Sequence, residues 1–266
     1  MDKRQASSFY PHFSHDERPT VDKFVGLFNS LIFKSQPILT DFLNPGELDI
    51  LKTVVGNDVF VFDFGGYQHA EKKRIYLTQE WENLNPQDFQ IQAFKIDYAA
   101  KFNSLTHSSI LGSLANSGVK TDTFGDIITD GNGNWQFFAK KELLDFFCEQ
   151  IDRIGLVSVK IIPIEFSEVI EPEDDSVEKS IVVSSLRMDA ILAGIIKDSR
   201  TRIKQLIEDK QQVKLNWHES TNSNIMINVN DVLSFRHFGR IKIINISSTK
   251  KGKYRVVLKL WQTKRK

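Results

Sequence analysis

Cysteine, glycine and proline are scarce in this chain of 266 residues, and each scarcity excludes a class of protein. The single cysteine, Cys148, cannot form an internal disulfide, which fits a reducing compartment. With 14 glycines and 7 prolines, long disordered segments are not expected. No apolar run is long enough to span a membrane, and residues 1–11 lack a signal-peptide pattern. We therefore expect a soluble, cytoplasmic, multidomain protein with no membrane partner.

Net charge is also close to zero, because 35 Lys and Arg are balanced by 34 Asp and Glu. Taken alone, a net charge of +1 argues against nucleic-acid binding. The charges are unevenly distributed, however: residues 1–180 carry 17 basic and 28 acidic side chains, whereas residues 181–266 carry 18 and 6. The C-terminal third is therefore strongly basic, which is typical of a module that contacts nucleic acid. A solvated basic surface without a ligand is the alternative.

The pattern of the whole chain predicts an α+β fold of three small domains. A mixed helical N-terminal domain occupies residues 1–78, and a ferredoxin-like α/β plait, similar to RNA-recognition domains, occupies residues 79–166. An exposed acidic linker over residues 167–180 precedes a basic domain over residues 181–266. Alternatively, the acidic run could fold against the basic domain as an internal competitor for phosphate.

Periodicity gives the elements of the first two domains. In the N-terminal domain it predicts helices over 24–32 and after Asn44, and strands over 58–64 and 74–78. In the plait it predicts strands over 89–98, 123–129, 135–139 and 156–164, with helices over 104–116 and 141–154. RNA-recognition domains of this shape stack bases on exposed aromatic side chains of the central strands. Residues 134–139 have aromatic side chains on both faces, so packing in the core is an equally good interpretation.

The basic domain opens with two short amphipathic helices, of which the second is capped by Ser199. Arg200 and Lys204 are four residues apart and therefore share one helix face. Strands are expected over 213–217, 225–229, 232–235 and 240–246, followed by a hairpin around residues 250–253.

A family resemblance is carried by the Arg-x-Asp-x-x-Leu run at 187–192, by Ser199-Arg200 and by the strand that ends at Asn216. These residues resemble the RNA-binding domain named after protein S-four of the small ribosomal subunit. The resemblance carries over Arg187, Ser199, Arg200 and Asn216 as RNA contacts and implies that Arg202 and Lys204, beside Arg200, contact phosphate. The other expected RNA contacts are Lys214, Arg236 and Arg240. The resemblance also implies that Asp189 orients the loop. The sequence departs from this pattern at Ile203, Lys210 and Asn230, so we expect a reshaped turn before the strand over 213–217.

The rest of the chain resembles the YlmH family. The residues that carry this resemblance are 12–31, 39–45, the run Phe-Gly-Gly-Tyr-Gln-His-Ala-Glu-Lys-Lys-Arg at 64–74, 107–112 with Gly118 and 125–127, and 238–240. Thr121 stands where the family has arginine, so one basic contact of the plait is absent. The resemblance implies a bacterial factor that binds ribosomal RNA and/or tRNA on the large ribosomal subunit. It further implies a monomer that acts in quality control of stalled translation, including non-templated elongation of the stalled peptide. Members have also been linked to cell division.

Two other classes of function remain as alternatives. RNA-modifying enzymes, such as pseudouridine synthases and methyltransferases, carry the same kind of basic domain. A protein-interaction factor could use its basic tail, residues 264–266, for solubility alone. The glycines at 65–66 and 131–133 do not form a cofactor loop, His12 and His15 lack further metal ligands, and Cys148 has no basic neighbour. We therefore expect no enzymatic activity, no cofactor and no metal site.

Overall fold

The computed structural model describes residues 3–209 and 212–262. The chain divides into two compact units, Met1–Glu173 and Asp174–Lys266. Both units combine helices with antiparallel sheets, which confirms the predicted α+β class. The division between the units falls inside the segment 167–180 that the sequence assigns to a linker. The boundaries of the three predicted domains stay predictions.

Two segments with sequence expectations lie outside the described residues. One is Lys210 and Gln211, where a reshaped turn is expected, and the other is the basic tail over residues 264–266. Among the described residues, no helix is both long enough and apolar enough to cross a membrane.

The first unit begins with two helices and a three-stranded antiparallel sheet. Its elements are α1 (Arg18–Lys34), β1 (Ile38–Leu43), α2 (Pro45–Val55), β2 (Phe60–Phe64) and β3 (Lys73–Thr78), and the strand order is β1-β3-β2. The predicted helix after Asn44 is confirmed, and the Asn44 side chain caps it by accepting a hydrogen bond from the backbone N–H of Glu47 at 3.1 Å. The periodicity does not predict β1, because Thr40 and Asp41 interrupt its apolar residues.

The plait follows in the same unit. Its elements are β4 (Ile91–Asp97), α3 (His107–Asn116), β5 (Phe124–Thr129), β6 (Trp135–Lys140), α4 (Leu144–Gln150), β7 (Arg153–Ile154), β8 (Val157–Ser158) and β9 (Lys160–Ile164). The strand order β5-β6-β4-β9 is that of a ferredoxin-like plait, as predicted. The last predicted helix, over 141–154, is too long: it ends at Gln150, and the chain then turns through a small β7–β8 hairpin at Gly155, whose φ is 60°.

The second unit packs two helices on one face of a six-stranded antiparallel sheet. Its elements are β10 (Val177–Val183), α5 (Met188–Ile196), α6 (Arg200–Glu208), β11 (Val213–Leu215), β12 (His218–Glu219), β13 (Val232–Phe235), β14 (Gly239–Ser248) and β15 (Tyr254–Gln262). The strand order is β10-β15-β14-β13-β11-β12. The helices and the inner face of the sheet share one core, which includes Ile191, Ile203, Ile241 and Leu258.

Two expectations for this unit are wrong. The predicted strand over 225–229 forms only an isolated bridge, between Met226 and Arg187, because residues 228–231 turn sharply into β13. The acidic linker expected over 167–180 is too long at its C-terminal end, because residues 177–183 form edge strand β10, which pairs with β15 along its whole length. A hydrophobic pattern does not reveal this strand, because Glu178, Lys179 and Ser180 interrupt its apolar residues and only Ile181 and Val183 pack against the core.

Candidate nucleic-acid interface

A buried carboxylate lies between two arginines where α5 and α6 begin. The Asp189 side chain is 5% exposed and accepts hydrogen bonds from Nη2 of Arg200 at 2.7 and 2.9 Å. The Nε of Arg200 donates to the same carboxylate at 3.2 Å, and the Nε of Arg187 lies 3.4 Å from it. The carboxylate thus accepts hydrogen bonds from one guanidinium group and forms an ion pair with a second, while 38% and 48% of the Arg187 and Arg200 side chains stay exposed. This geometry supports an orienting role for Asp189.

The surrounding backbone fixes this cluster in place. Ser199 caps α6 as predicted, because its hydroxyl accepts a hydrogen bond from the Arg202 backbone N–H at 3.2 Å. The backbone N–H of Asp189 donates to the Ser223 carbonyl at 3.2 Å, and the Ser223 hydroxyl donates to Glu208 at 2.7 Å. The start of α5 and the end of α6 are therefore both tied to the loop that contains Ser223.

The other two basic residues of α6 are more exposed and more weakly paired. The Arg202 side chain is 69% exposed and lies 3.4 Å from Asp198, and that of Lys204 is 52% exposed and lies 3.8 Å from Glu208. Exposed ion pairs of this kind contribute about 0–1 kcal/mol, so they yield readily to a phosphate. Together with Arg187 and Arg200, these two side chains form what we call the helix face.

The remaining predicted contacts lie on or beside the sheet. Lys214 is on β11, 51% exposed and 3.7 Å from Glu219. Arg240 is on β14, and its guanidinium carbon lies 5.4 Å from the centre of the Trp217 ring, a cation–π distance. Arg236 is exposed in the turn between β13 and β14.

Asn216 has its side chain engaged within the protein. It has a φ of 50°, donates to the Asp231 carboxylate at 2.9 Å and accepts from the backbone N–H of Val232 at 2.8 Å. This arrangement supports a role in shaping the turn after β11. Asn230, which replaces the glycine of the family pattern, has a φ of 73°, a conformation that asparagine tolerates better than most residues.

The nine predicted contacts therefore do not form one cluster. The helices cover the inner face of the sheet, whereas Lys214 and Arg240 alternate with core residues and point to the other side. Trp217 is the residue that sequence reasoning missed. The available signal was an aromatic side chain directly after Asn216, at the end of a predicted strand.

The sheet face of the plait, where RNA-recognition domains stack bases, is covered by this protein's own side chains. Phe138 of β6 is fully buried, and the Tyr67 ring stacks on it with centres 5.3 Å apart. Phe42, Phe89 and partly buried Phe166 belong to the same cluster. The alternative of core packing is thus correct for Phe138, and the N-terminal sheet and the plait share a hydrophobic core.

The long family run at 64–74 builds that cover. The Asp126 carboxylate accepts hydrogen bonds from the Tyr67 hydroxyl at 2.9 Å and from the backbone N–H groups of Glu71 and Lys72 at 2.6 and 3.1 Å. Burial raises the pKa of Asp126 despite these hydrogen bonds. Gly66 has a φ of 103°, and an added Cβ would lie 2.2 Å from the Phe138 ring. The glycine is therefore required for close packing against the Phe138 ring.

The chain is similar to known proteins over nearly its whole length. Residues 85–168 match the family model described as "Putative RNA-binding domain in YlmH". Over 252 residues, which are 94% of this chain and 97% of the relative, the chain is 36% identical to ribosome-associated protein quality control protein P2 of Bacillus subtilis (strain 168). The chain belongs to the YlmH family. The solved cell division protein ylmH from Streptococcus pneumoniae is 30% identical with a TM-score of 0.52, over 61% of this chain and 99% of that one.

Membership in the YlmH family confirms the resemblance inferred from the motifs. The family model matches the plait, which is the domain whose sheet face is covered by Tyr67 and its neighbours. Any RNA contact of the plait in this YlmH-family member must therefore use its helices, loops or sheet edges. In the second unit, by contrast, the four basic side chains of the helix face are between 38% and 69% exposed.

Proposed function

We propose that this protein is an RNA-binding, ribosome-associated factor that acts in the quality control of stalled translation. The observation that carries the proposal is the 36% identity to a ribosome-associated quality control protein, which extends over 94% of this chain and 97% of that relative. The proposed partners are ribosomal RNA and/or tRNA on the large subunit. The proposed setting is the bacterial cytoplasm, where the protein would act as a monomer and without a catalytic reaction of its own.

The geometry of the helix face supports this proposal. Asp189 orients the Arg200 guanidinium through three hydrogen bonds and forms an ion pair with Arg187, and oriented guanidinium groups bind phosphate in a bidentate manner. Arg202 and Lys204 add charge beside them. Binding would come mainly from the release of counterions from RNA phosphates and would recognise the shape of a folded RNA more than its sequence.

The glycine geometry makes the methyltransferase alternative less favourable. Gly65 packs so tightly that an added Cβ would lie 2.4 Å from the Ala70 side chain and from the Lys72 carbonyl oxygen. Gly131 and Gly133 lie in the hairpin between β5 and β6. Neither position joins a strand to a helix, which is where a nucleotide cofactor is bound.

Co-sedimentation of the full chain with purified large ribosomal subunits tests the proposal. Arg202→Gln with Lys204→Gln removes two exposed charges without breaking the Asp189 cluster. We expect binding at low salt to weaken about tenfold or more, because each lost phosphate contact lowers affinity and reduces the salt slope by about 1. A matched control, Lys34→Gln with Lys52→Gln, removes the same charge from exposed positions of the first unit.

Two results would count against the proposal. If the helix-face variant and the control co-sedimented equally with the subunits, the helix face would not be the RNA contact. Altered nucleotides in ribosomal RNA from a strain that lacks the protein would instead favour the enzyme alternative.

A further inference from the structure

The outer face of the six-stranded sheet, on the side away from the helices, carries charge of one sign. In the four adjoining strands β11, β13, β14 and β15, the inward residues are apolar and belong to the core shared with α5 and α6. Those four strands contain no Asp or Glu, and each of their charged residues lies at an outward position. The five are Lys214, Arg240, Lys242, Arg255 and Lys259. We call this surface the sheet face.

Strand register places these side chains in rows. One row crosses four strands in the order Lys214, Ser234, Arg240 and Trp261, each directly opposite the next. Lys242 and Lys259 are opposite each other one step along the same strands. Because neighbouring strands are about 4.8 Å apart, the first row spans about 14 Å, and its two charged residues lie two strands apart.

Aromatic side chains complete the first row. The Arg240 guanidinium lies over the Trp217 ring, and the half-buried ring of Trp261 belongs to the residue opposite Arg240. Cationic side chains beside aromatic rings are the combination that holds nucleic-acid backbones and stacked bases. The acidic surface of a partner protein would pair with the basic side chains, but it would give the rings of Trp217 and Trp261 no specific contact.

Acidic side chains meet this surface from its two edge strands and from the segment before β10. On one side Glu219 of β12 lies 3.7 Å from Lys214. On the other side Asp174 lies 2.6 Å from Lys259, and Glu178 of β10 is directly opposite Lys259. Carboxylates thus already occupy anion positions on the sheet face. The sequence after Asp231 contains eleven Lys and Arg and no acidic residue, so the charge of this face is not balanced from within that segment.

We propose that the sheet face is a second RNA-binding surface, which takes the phosphate backbone of an RNA segment distinct from the one at the helix face. The inference rests on the proposed function for the identity of the ligand, and it adds a second site. The helix layer, about 10 Å thick, and the sheet separate the two faces, so one phosphate cannot reach both. The second unit would therefore sit between two RNA segments.

Salt dependence of binding gives the first test. The full chain with Lys242→Gln, Arg255→Gln and Lys259→Gln is compared with the wild type on purified large ribosomal subunits and on unfractionated tRNA. We expect the slope of log affinity against log salt to fall by about 2–3 and affinity near 0.1 M salt to fall at least tenfold. The matched control, Lys3→Gln with Lys34→Gln and Lys52→Gln, removes the same charge and should leave the slope unchanged. Equal thermal unfolding of all variants excludes loss of fold.

A photo-crosslinking side chain at Ser234, between Lys214 and Arg240, gives the second test. Its counterpart is the same probe at Gln205, which is exposed on α6. We expect both probes to crosslink to RNA, at different nucleotides. RNA crosslinks at Gln205 alone, with protein crosslinks or none at Ser234, would overturn the second site and leave the proposed function intact. Failure of both probes to reach RNA would count against the proposed function itself.

Discussion

The two large sheets of this protein are both covered by a pair of helices on one face, but they treat the other face in opposite ways. In the plait, Phe138 and its neighbours are covered by Tyr67 and by aromatic residues of the N-terminal sheet. In the second unit the outward residues of four adjoining strands are Lys, Arg, Trp and small polar or aliphatic residues. The fold of the plait is typical of RNA-binding proteins, yet its usual binding face is closed. The outward side chains, and not the strand order, therefore distinguish the two sheets.

Physical chemistry explains why the two faces differ. Complete burial of a large apolar side chain stabilises the folded state by about 1.5–3 kcal/mol. Covering the aromatic rings on the plait sheet therefore stabilises the fold. Covering Lys242 or Arg255 would instead remove a charge from water at a cost of several kcal/mol unless an anion replaced the water. A closed apolar face and an open cationic face are therefore what these two sets of residues require.

Removal of the Phe138 ring is the strongest way to test the closed face. Phe138→Ala should lower the free energy of unfolding of the first unit by about 3–5 kcal/mol, because it leaves a cavity between the plait and Tyr67. Chemical denaturation followed by intrinsic fluorescence measures this loss. Binding to ribosomal subunits by the fraction that remains folded should not change.

Phe102→Ala is the matched control, because that ring is 87% exposed and its loss should change stability little. A Phe138→Ala variant of normal stability that lost RNA binding would show that the plait opens and uses its sheet face. The comparison between the two sheets would then be wrong.

Removal of the Asp189 carboxylate tests the helix face. Asp189→Asn keeps the size of the side chain but takes away the charge that binds the Arg200 guanidinium and forms an ion pair with Arg187. We expect the second unit to lose about 1–3 kcal/mol of unfolding free energy, because a buried charge-assisted pair is broken while the arginines keep partial contact with water. Differential scanning calorimetry measures the loss.

RNA binding should also weaken in Asp189→Asn, although the variant makes the protein more positive by one charge. Higher net charge alone would strengthen binding, so the direction of the change separates the orienting role from simple electrostatics. Stronger binding with unchanged stability would contradict the role that the geometry assigns to Asp189.

The sequence predicts elements well where apolar periodicity is local. The helices around Phe24 and Ile191 and the central strands of both sheets have regular apolar patterns, so they could be found without a structure. Strands β1 and β10 could not, because their pairing partners are distant and their polar residues interrupt the pattern. Edge strands of this kind depend on tertiary contacts more than on their own residues.

The candidate site, like the fold, could be predicted from the sequence in one part and not in another. The pairing of Asp189 with Arg200 follows a motif and was within reach of the sequence. The assignment of Lys214 and Arg240 to a face away from the helices depends on sheet register, which no motif records. The cover over Phe138 depends on residues some 70 positions earlier, such as Tyr67, and it too is invisible to local pattern.

The pH dependence of stability tests how Asp126 contributes to the cover over the sheet face of the plait. Burial raises the pKa of Asp126 in the folded protein above its ordinary value of 3.8. The folded state therefore binds a proton more tightly than the unfolded state, and the contribution of Asp126 to stability falls as pH rises from that ordinary value through the folded pKa. We expect the wild type to lose stability relative to Asp126→Asn across this interval, as measured by urea unfolding at several pH values. A parallel pH dependence of the two proteins would show that Asp126 does not titrate differently on folding.

The smallest expected effect concerns the carboxylates that already occupy the sheet face. A hydrogen bond from Lys259 lowers the pKa of Asp174 to about 2, so this carboxylate stays charged in neutral and mildly acidic buffers and only substitution can remove it. Asp174→Asn with Glu178→Gln frees Lys259 from two competitors for RNA phosphate. Exposed pairs contribute about 0–1 kcal/mol, so we expect RNA affinity to rise two- to fivefold at low salt and the gain to disappear as salt screens it.

Asp152→Asn with Glu149→Gln makes the same change of charge on exposed residues of the plait and should leave affinity unaltered. Equal gains in both variants would mean that RNA affinity depends on the overall charge of the chain. The sheet face would then not be a local RNA-binding site.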